Sequence, residues 1–213
     1  MGNRRAPKFS MYDRSVEKVT GFVLAGGKSS RMGADKALLE LGGQTLLARA
    51  LHVAAQVTPQ VRLVGNRNRL AAFGTLIEDV YPERGPLGGI HAALLGTATE
   101  LNLMLAVDLP FIGPDFLRYL ILKAAGANAV VTLPRSGGFL QPLCAVYRKE
   151  FGEAAENSLR AGKNKIGPLL DKVKTRVIEP DELTQAGFTG EVFRNLNTPA
   201  EWEAARREFE KKS

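Results

Sequence analysis

The sequence predicts an α/β fold, a three-layer sandwich in which a mostly parallel central sheet lies between two layers of helices. Apolar, β-prone runs alternate along the chain with helical stretches, as expected for repeated strand–helix–strand units. The chain has 213 residues, of which 45% are hydrophobic and 24% charged, values typical of a globular domain. This length supplies one sizeable core, and no internal repeat or long linker divides the chain, so we expect a single domain.

The predicted elements follow from these runs. The strands are expected at residues 19–24, 61–64, 75–77, 101–107, 129–133, 143–147 and 175–178. The helices are expected at residues 44–56, 87–96, 114–125, 149–161 and 199–211. The last helix has the clearest beginning, because Thr198 can cap it, Pro199 suits its first turn and Glu201 follows.

The ends of the chain and its cysteine content bear on location. Residues 1–18 are polar and basic, and we expect them to form a poorly ordered leader to a domain at 19–213. They lack the apolar core of a signal peptide, and no apolar run approaches the roughly 18 residues of a membrane helix. Cys144 is the only cysteine, so no internal disulfide can form. These features predict a cytoplasmic protein without membrane association.

The net charge of +7 favours a polyanionic partner. The basic residues are spread over the leader and the tail, and no ribonucleoprotein signature, zinc-finger spacing or basic zipper accompanies them. Nucleic acid is therefore disfavoured as a partner, whereas a phosphate-rich small molecule fits the charge equally well.

The segment VLAGGKSSRMGADK, residues 23–36, follows the first predicted strand and precedes the first helix. Ligands of open α/β sheets bind beyond the carboxyl ends of the strands, where such loops gather. Gly26 and Gly27 let backbone N–H groups approach an anion closely. The hydroxyls of residues 29 and 30 add donors, Arg31 a planar fork of donors and Lys36 a compact charge.

These groups describe a clamp for a triphosphate, although neither common phosphate motif matches. A Walker A loop needs a glycine where Phe22 stands, and adjacent glycines 26 and 27 break the dinucleotide pattern. The alternative is a polar turn whose glycines serve backbone geometry alone.

A second motif, LNLMLAVDLP, is a buried strand that ends in a carboxylate. Asp108 should therefore project from the sheet edge into the crevice that holds the glycine loop. A triphosphate brings Mg²⁺, which favours one or two carboxylates together with phosphate oxygens. We therefore predict that Asp108 is a metal ligand, the alternative being a turn aspartate before Pro110.

The stretch LAGGKSSRMGADKALLELGG closely resembles the opening signature of the molybdenum cofactor guanylyltransferases, which belong to a larger group of nucleotidyltransferases. The resemblance covers nearly the whole chain from about Val19 onward. It continues through the segments ED (78–79), GPLGGI (85–90), AVDLP (106–110), QPL (141–143) and NLNTP (195–199).

The resemblance implies a Rossmann-like fold of the nucleotide-diphospho-sugar transferase type. It also implies a Mg²⁺-dependent enzyme that transfers GMP from GTP to the terminal phosphate of molybdopterin, forming molybdopterin guanine dinucleotide and pyrophosphate. Molybdoenzymes or cofactor chaperones are the expected recipients of that product.

The resemblance further implies roles for individual residues. The catalytic group is expected to be Arg31, Lys36 and Asp108, with Asp108 also on the metal. The nucleotide-binding residues are expected to be Leu24, Ala25, Gly26, Gly27, Lys36, Asn66, Asp79, Gly88, Gly89, Asp108 and Asn197. Some members have asparagine where Val64 stands, and Asn66 is the candidate substitute. For Asp79 and Asn197 a plain turn role stays open.

The sequence motifs indicate the base preference and the acceptor-binding residues less directly than the type of reaction. Relatives that transfer CMP tend to have alanine where Gly26 stands, and one methyl of pocket shape is worth about 1 to 3 kcal/mol, enough for a preference. Lys163 and Lys165 suit an acidic acceptor, or form an exposed basic loop. A nucleotidyltransferase using CTP or a sugar-phosphate acceptor, and a non-catalytic nucleotide-binding or cofactor-delivery module, are the alternative functions.

Two histidines and the cysteine are assigned no catalytic or metal-binding role. His52 falls in an amphipathic helix pattern and His91 follows the GPLGGI turn, so both are expected to pack or lie at the surface. Cys144 lies in an apolar strand and is expected in the core.

Overall fold

The computed structural model describes residues 18–26, 36–196 and 198–210. Its strands are β1 (Val19–Leu24), β2 (Glu40–Leu41), β3 (Gln44–Thr45), β4 (Gln60–Val64), β5 (Leu76–Ile77), β6 (Leu101–Ala106), β7 (Val131–Ser136), β8 (Phe139–Leu140), β9 (Cys144–Arg148) and β10 (Thr175–Ile178). Its α-helices are α1 (Leu46–Ala55), α2 (Arg67–Leu70), α3 (Pro86–Leu95), α4 (Pro114–Ala125), α5 (Phe151–Arg160), α6 (Gly167–Leu170), α7 (Pro180–Gln185) and α8 (Pro199–Glu210).

The central sheet has the strand order β10-β7-β9-β6-β1-β4-β5, with β8 added to β7. Pairing is parallel along β6-β1-β4-β5 and between β10 and β7, whereas β9 runs antiparallel to both of its neighbours. The direction of β9 follows from its connection: β7 ends at Ser136 and β9 begins at Cys144, too near for the dozen or more residues of a parallel crossover. The sheet is therefore mostly parallel, as predicted.

The strand order reverses at β1. The chain first adds β4 and β5 on one side of β1 and then returns to place β6 on the other side. Such a reversal opens a crevice at the carboxyl ends of the two central strands. The register pairs Leu24 with Ala106, so the residues that follow β1 and β6 leave the sheet side by side.

Helices cover both faces of the sheet. One buried cluster joins Val23 of β1 to residues of α1, α4 and α7, such as Leu47, Phe116 and Leu183. The other joins Phe22 of β1 to residues of α3, α5 and α6. Neighbouring residues of β1 thus point to opposite faces, and every residue of β1 and β6 is buried, as expected for central strands of a covered parallel sheet.

A third, smaller cluster joins the C-terminal part of the chain to residues near β2 and the start of α1. We call it the C-terminal cluster; its buried members are Leu41, Leu46, Leu196, Trp202 and Ala205. It docks α8 against the short hairpin of β2 and β3. The beginning of α8 is a capping box, in which Thr198 Oγ1 accepts from the N–H of Glu201 and Glu201 Oε2 accepts from the N–H of Thr198.

The predicted elements are found with shifted ends. β7 occupies 131–136 where 129–133 was expected, and α1 begins at Leu46 because Gln44 and Thr45 form β3. The hairpins β2–β3 and β7–β8 and the short helices α2, α6 and α7 were not predicted. Among the described residues, no helix has the length and hydropathy needed to cross a membrane.

Candidate active site

Lys36 and Asp108 meet where β1 and β6 end. Lys36 opens a 3₁₀ helix, Lys36–Leu38, and Asp108 follows β6 by two residues. Lys36 Nζ donates to Asp108 Oδ2 at 3.3 Å, with 13% and 30% of the two side chains exposed. The structure therefore brings the end of the glycine loop and the carboxylate that follows β6 into one crevice. Ion pairs near the surface contribute about 0 to 1 kcal/mol, so a ligand can separate this pair at small cost.

The start of the glycine loop continues the central sheet before entering the crevice. The N–H of Ala25 donates to Val64 O at 3.0 Å, and the N–H of Val107 donates to Leu24 O at 3.3 Å. Leu24 and Ala25 are buried and Gly26 is exposed. The backbone of Leu24 and Ala25, directly before Gly26, is therefore fixed by the strands on both sides. Gly27 and Arg31 lie outside the described residues, so their predicted roles stay predictions.

Gly26 has no packing reason, within the described residues, to be glycine. Its φ is outside the left-handed region, and no described atom lies within 4 Å of the position that a Cβ would take. Neither backbone conformation nor crowding by these residues excludes a side chain at this position. The predicted contact of Gly26 with a nucleotide stays a prediction.

Asp79 lies on the other side of β1, beyond the end of β5. Its Oδ1 is 3.6 Å from the position of a Cβ on Gly89, in the first turns of α3. Oδ1 is buried and has no hydrogen-bond donor among the described residues. Burial raises the pKa of the Asp79 carboxyl. A buried acceptor without a donor costs about 1 to 3 kcal/mol, which a ligand N–H group could recover.

The glycines of the GPLGGI segment differ in what they permit. A Cβ on Gly88 would lie 3.1 Å from Tyr81 O, so close packing against that backbone favours glycine at 88. A Cβ on Gly89 would make ordinary contacts, 3.5 Å from Val64 Cγ1 and 3.8 Å from Leu24 Cδ2. Both residues are buried in the first turn of α3, beside Asp79. Their predicted contact with a nucleotide stays a prediction.

Asn66 has a structural role in the described molecule. Its Oδ1 accepts from the N–H of Asn68 at 2.9 Å and caps α2. The residue is exposed, and its amide nitrogen can still donate to a ligand. Asn197, the other predicted amide, is outside the described residues, although Leu196 beside it is buried in the C-terminal cluster.

A basic cleft of about 300 Å³ follows α5 and is lined by Lys163, Lys165 and Lys172, among others. The end of α5 lies beside the segment that follows Asp79, because Arg160 Nε donates to Tyr81 OH at 3.4 Å. The two lysines predicted to meet an acidic acceptor thus share one cleft. Tyr81 and Arg160 were missed at the sequence level, since a loop tyrosine and a helix-terminal arginine carry no motif.

The donor set fits Mg²⁺ held partly by substrate. The described residues contain no group of three or more histidine, cysteine or acidic side chains that could hold a metal ion. Asp108 offers one partly exposed carboxylate at the strand end. Mg²⁺ is commonly bound by one or two carboxylates plus substrate phosphates and water, and Asp108 suits that arrangement. The metal role of Asp108 stays a prediction.

The three residues to which no chemical role was assigned, His52, His91 and Cys144, pack against neighbouring side chains or lie at the surface. His52 Nε2 pairs with Gln56 Nε2 at 2.8 Å on the exposed side of α1. His91 is buried in α3, with its ring centroid 5.3 Å from that of Tyr81, and burial lowers its pKa. Cys144 is buried in β9 as predicted, and burial raises the pKa of its thiol.

Comparison with known proteins bears on this site. The model of the family described as MobA-like NTP transferase domain matches residues 21–176. A protein of Pelotomaculum thermopropionicum named "Probable molybdenum cofactor guanylyltransferase" is 39% identical over 89% of this chain and 92% of its own length. A protein of the same name from Carboxydothermus hydrogenoformans is 32% identical over 91% of this chain and 98% of its own.

A solved structure shares the architecture. The crystal structure of molybdopterin-guanine dinucleotide biosynthesis protein A from Archaeoglobus fulgidus superposes with a TM-score of 0.79 at 25% identity. The match covers 90% of this chain and 99% of the other. The fold predicted from the sequence is therefore confirmed, including its relation to nucleotide-transferring proteins.

The buried carboxylate of Asp79 generates a stability prediction. The substitution Asp79→Asn should raise the free energy of unfolding at pH 8 by about 1 kcal/mol, because it removes the buried charge. The gain should shrink as the pH falls through the raised pKa of Asp79, since the wild-type carboxyl is then protonated as well. Urea unfolding of the ligand-free protein at several pH values measures this.

The control for this measurement is Asp171→Asn, which neutralises an exposed aspartate at the end of α6. It should change the free energy of unfolding by no more than about 0.5 kcal/mol at any pH. If Asp79→Asn instead lowered the free energy of unfolding at pH 8, the Asp79 carboxylate would have a hydrogen-bond donor in the folded protein, and this prediction would be wrong.

Proposed function

The chain belongs to the MobA-like NTP transferase family and is a nucleotidyltransferase, and we propose that it transfers GMP from GTP to the terminal phosphate of molybdopterin with the help of Mg²⁺. The observation that supports this proposal is the Lys36–Asp108 pair, in which a cation suited to phosphate and a carboxylate suited to Mg²⁺ lie 3.3 Å from one another. The relatives' names refer to guanylyl transfer and to the molybdenum cofactor, which supports GTP as the donor and molybdopterin as the acceptor.

The reaction needs no protein nucleophile. An oxygen of the acceptor phosphate attacks the α-phosphorus of GTP, and the bond from that phosphorus to the bridging oxygen of the β-phosphate breaks. Pyrophosphate leaves with the bonding electron pair, and the new phosphoanhydride is the dinucleotide. A phosphate monoester is an anion at neutral pH, so the attacking oxygen needs no dedicated base, and catalysis consists of positioning and charge neutralisation.

Lys36 and Asp108 divide that work. Asp108 would hold Mg²⁺, which when bound supplies positive charge to the triphosphate oxygens. Lys36 would leave its ion pair with Asp108 and donate to phosphate oxygens, where charge accumulates in the transition state. The N–H of Gly26, which directly follows the backbone that is fixed by both neighbouring strands, would donate to the nucleotide.

Asp79 and Gly26 would favour guanine. Guanine carries a ring N–H next to its exocyclic amino group, and the two donors together can meet a carboxylate, whereas the amino group of cytosine adjoins a ring acceptor. The buried Oδ1 of Asp79 is an acceptor that lacks a donor within the described residues. Binding a guanine N–H would recover the free energy lost by that group. The absence of a side chain at Gly26, which no described residue crowds, would leave room for the larger base.

The acceptor would approach from the end of α5. Lys163, Lys165 and Lys172 line one cleft on that side, and their charges suit the anionic terminal phosphate of molybdopterin. Arg160 links the end of α5 to Tyr81, which follows the proposed base site. In this arrangement GTP would bind over the carboxyl end of β1, and molybdopterin would bind between α5 and the carboxyl edge of the sheet.

Incubation with GTP labelled at the α-phosphate and with molybdopterin tests the reaction. Labelled dinucleotide and unlabelled pyrophosphate should form together, and both should require added Mg²⁺. Asp108→Asn should remove most of this turnover, by about 10²-fold or more, as is typical when a transition-state contact is lost.

The matched control for this assay is Asp115→Asn. Asp115 pairs with Arg118 on the exposed first turn of α4, outside the proposed site. Its variant should keep wild-type turnover. Pyrophosphate release without a labelled dinucleotide would reject molybdopterin as the acceptor, and near-full activity of Asp108→Asn would reject the metal role.

Thermal melting with each of the four nucleoside triphosphates and Mg²⁺ tests the base preference. A ligand present at 100 times its dissociation constant stabilises the fold by about 2.7 kcal/mol. GTP should raise the melting temperature more than CTP, and Asp79→Asn should narrow that difference. Equal shifts for GTP and CTP in the wild-type protein would contradict the guanine assignment and favour a related transferase.

A further inference from the structure

We infer that the C-terminal helix α8 is a positioning element of the nucleotide site, and that Trp202 is the residue through which it acts. The inference rests on the proposed function, because it concerns how Lys36 and Asp108 are held for GTP. It adds a role for a helix that lies beyond the matched family region, which ends at residue 176.

Three chain segments that supply predicted site residues converge on the C-terminal cluster. Leu39 follows Lys36 by three residues, Val107 directly precedes Asp108, and Leu196 directly precedes Asn197. Leu196 is buried within the cluster, and Leu39 and Val107 pack against it. Trp202 is the largest side chain among its buried members. One apolar cluster thus underlies residues that lie far apart in sequence.

Aromatic and cationic contacts hold α8 in this position. Phe209, near the end of α8, has its ring centroid 5.6 Å from that of Phe111, in the loop after Asp108. The guanidinium of Arg49 lies 4.4 Å from the Phe209 ring centroid while donating to Leu41 O at 2.9 Å. Arg49 therefore connects α1, the β2–β3 hairpin and α8 at one point.

A second arginine makes the equivalent connection on the Asp108 side. The guanidinium of Arg194 lies 3.9 Å from the ring centroid of Phe111 and also pairs with Glu208 of α8. The loop after Asp108 is thereby held between α8 and the segment that leads to residue 196. Removing α8 from its place would release both the Asp108 loop and the chain that follows Lys36.

This arrangement should matter for rate because phosphoryl transfer depends on alignment. A displacement of about 1 Å in a positioned group can cost on the order of 10²-fold in rate. Linkage adds a reciprocal expectation: if docking of α8 favours nucleotide binding, then bound nucleotide favours docking of α8 by the same factor. Binding of nucleotide to the site should therefore change the stability of α8 docking, which can be measured.

Substitution of Trp202 tests the inference through activity. Trp202→Ala should lower kcat/KM for GTP by about 10-fold or more at a temperature where the variant is folded by circular dichroism, and Trp202→Phe should recover most of it. Leu183→Ala is the matched control, since Leu183 is a buried apolar residue of α7, a helix that carries none of the proposed site residues. It should lower the melting temperature while leaving kcat/KM within about twofold of wild type.

Amide hydrogen exchange of the wild-type protein tests the same inference without a substitution. Saturating GTP with Mg²⁺ should slow exchange in residues 199–210 by about 10-fold or more, and should leave the amides of α7 unchanged. Calorimetry in the same buffer establishes that GTP is bound.

The outcomes separate the two proposals. If GTP binds and turns over but α8 exchanges at the same rate with and without it, the positioning role is wrong and the proposed function stands. If kcat/KM of Trp202→Ala equals that of wild type, the positioning role is likewise wrong. If calorimetry detects no GTP binding, the proposed function fails and the positioning role fails with it.

Discussion

The contact between Lys36 and Asp108 is the interaction on which the site depends. It exists because the sheet reverses its order at β1, which places the carboxyl ends of β1 and β6 next to one another. A cation that follows one strand and a carboxylate that follows the other then reach a common point, at 3.3 Å. The topology of the sheet therefore creates the charge pair, and in the proposed function this pair is where the metal-bearing phosphate chain would bind.

Another residue of the proposed site, Asp79, carries a cost in stability. The Asp79 carboxylate is buried beside α3 without a described donor, an arrangement that disfavours its ionised form. Such groups are tolerated where a ligand supplies the missing partner. The two apolar faces of the sheet and the C-terminal cluster provide the packing that holds these segments in place.

The sequence predicted the fold better than its details, for physical reasons. Continuous apolar runs identified β1 and β6, because strands buried on both faces need no polar alternation. The hairpins were missed because strands of two residues are too short for a period to show, although Gly42–Gly43 and Gly137–Gly138 have the positive φ of two-residue turns. The topology of the sheet predicted that Asp108 would lie beside the end of the glycine loop, where Lys36 contacts it. The convergence on Trp202, in contrast, depends on long-range packing that no local pattern encodes.

A double-mutant cycle on Lys36 and Asp108 tests the central claim that the two residues act on one bound nucleotide. Lys36→Ala, Asp108→Asn and the double variant would be compared in kcat/KM for GTP with Mg²⁺. We expect the two losses to be non-additive by about 0.5 to 3 kcal/mol, as for residues that share partners. Losses that add within about 0.3 kcal/mol would show that the two side chains act independently, which would contradict a shared site.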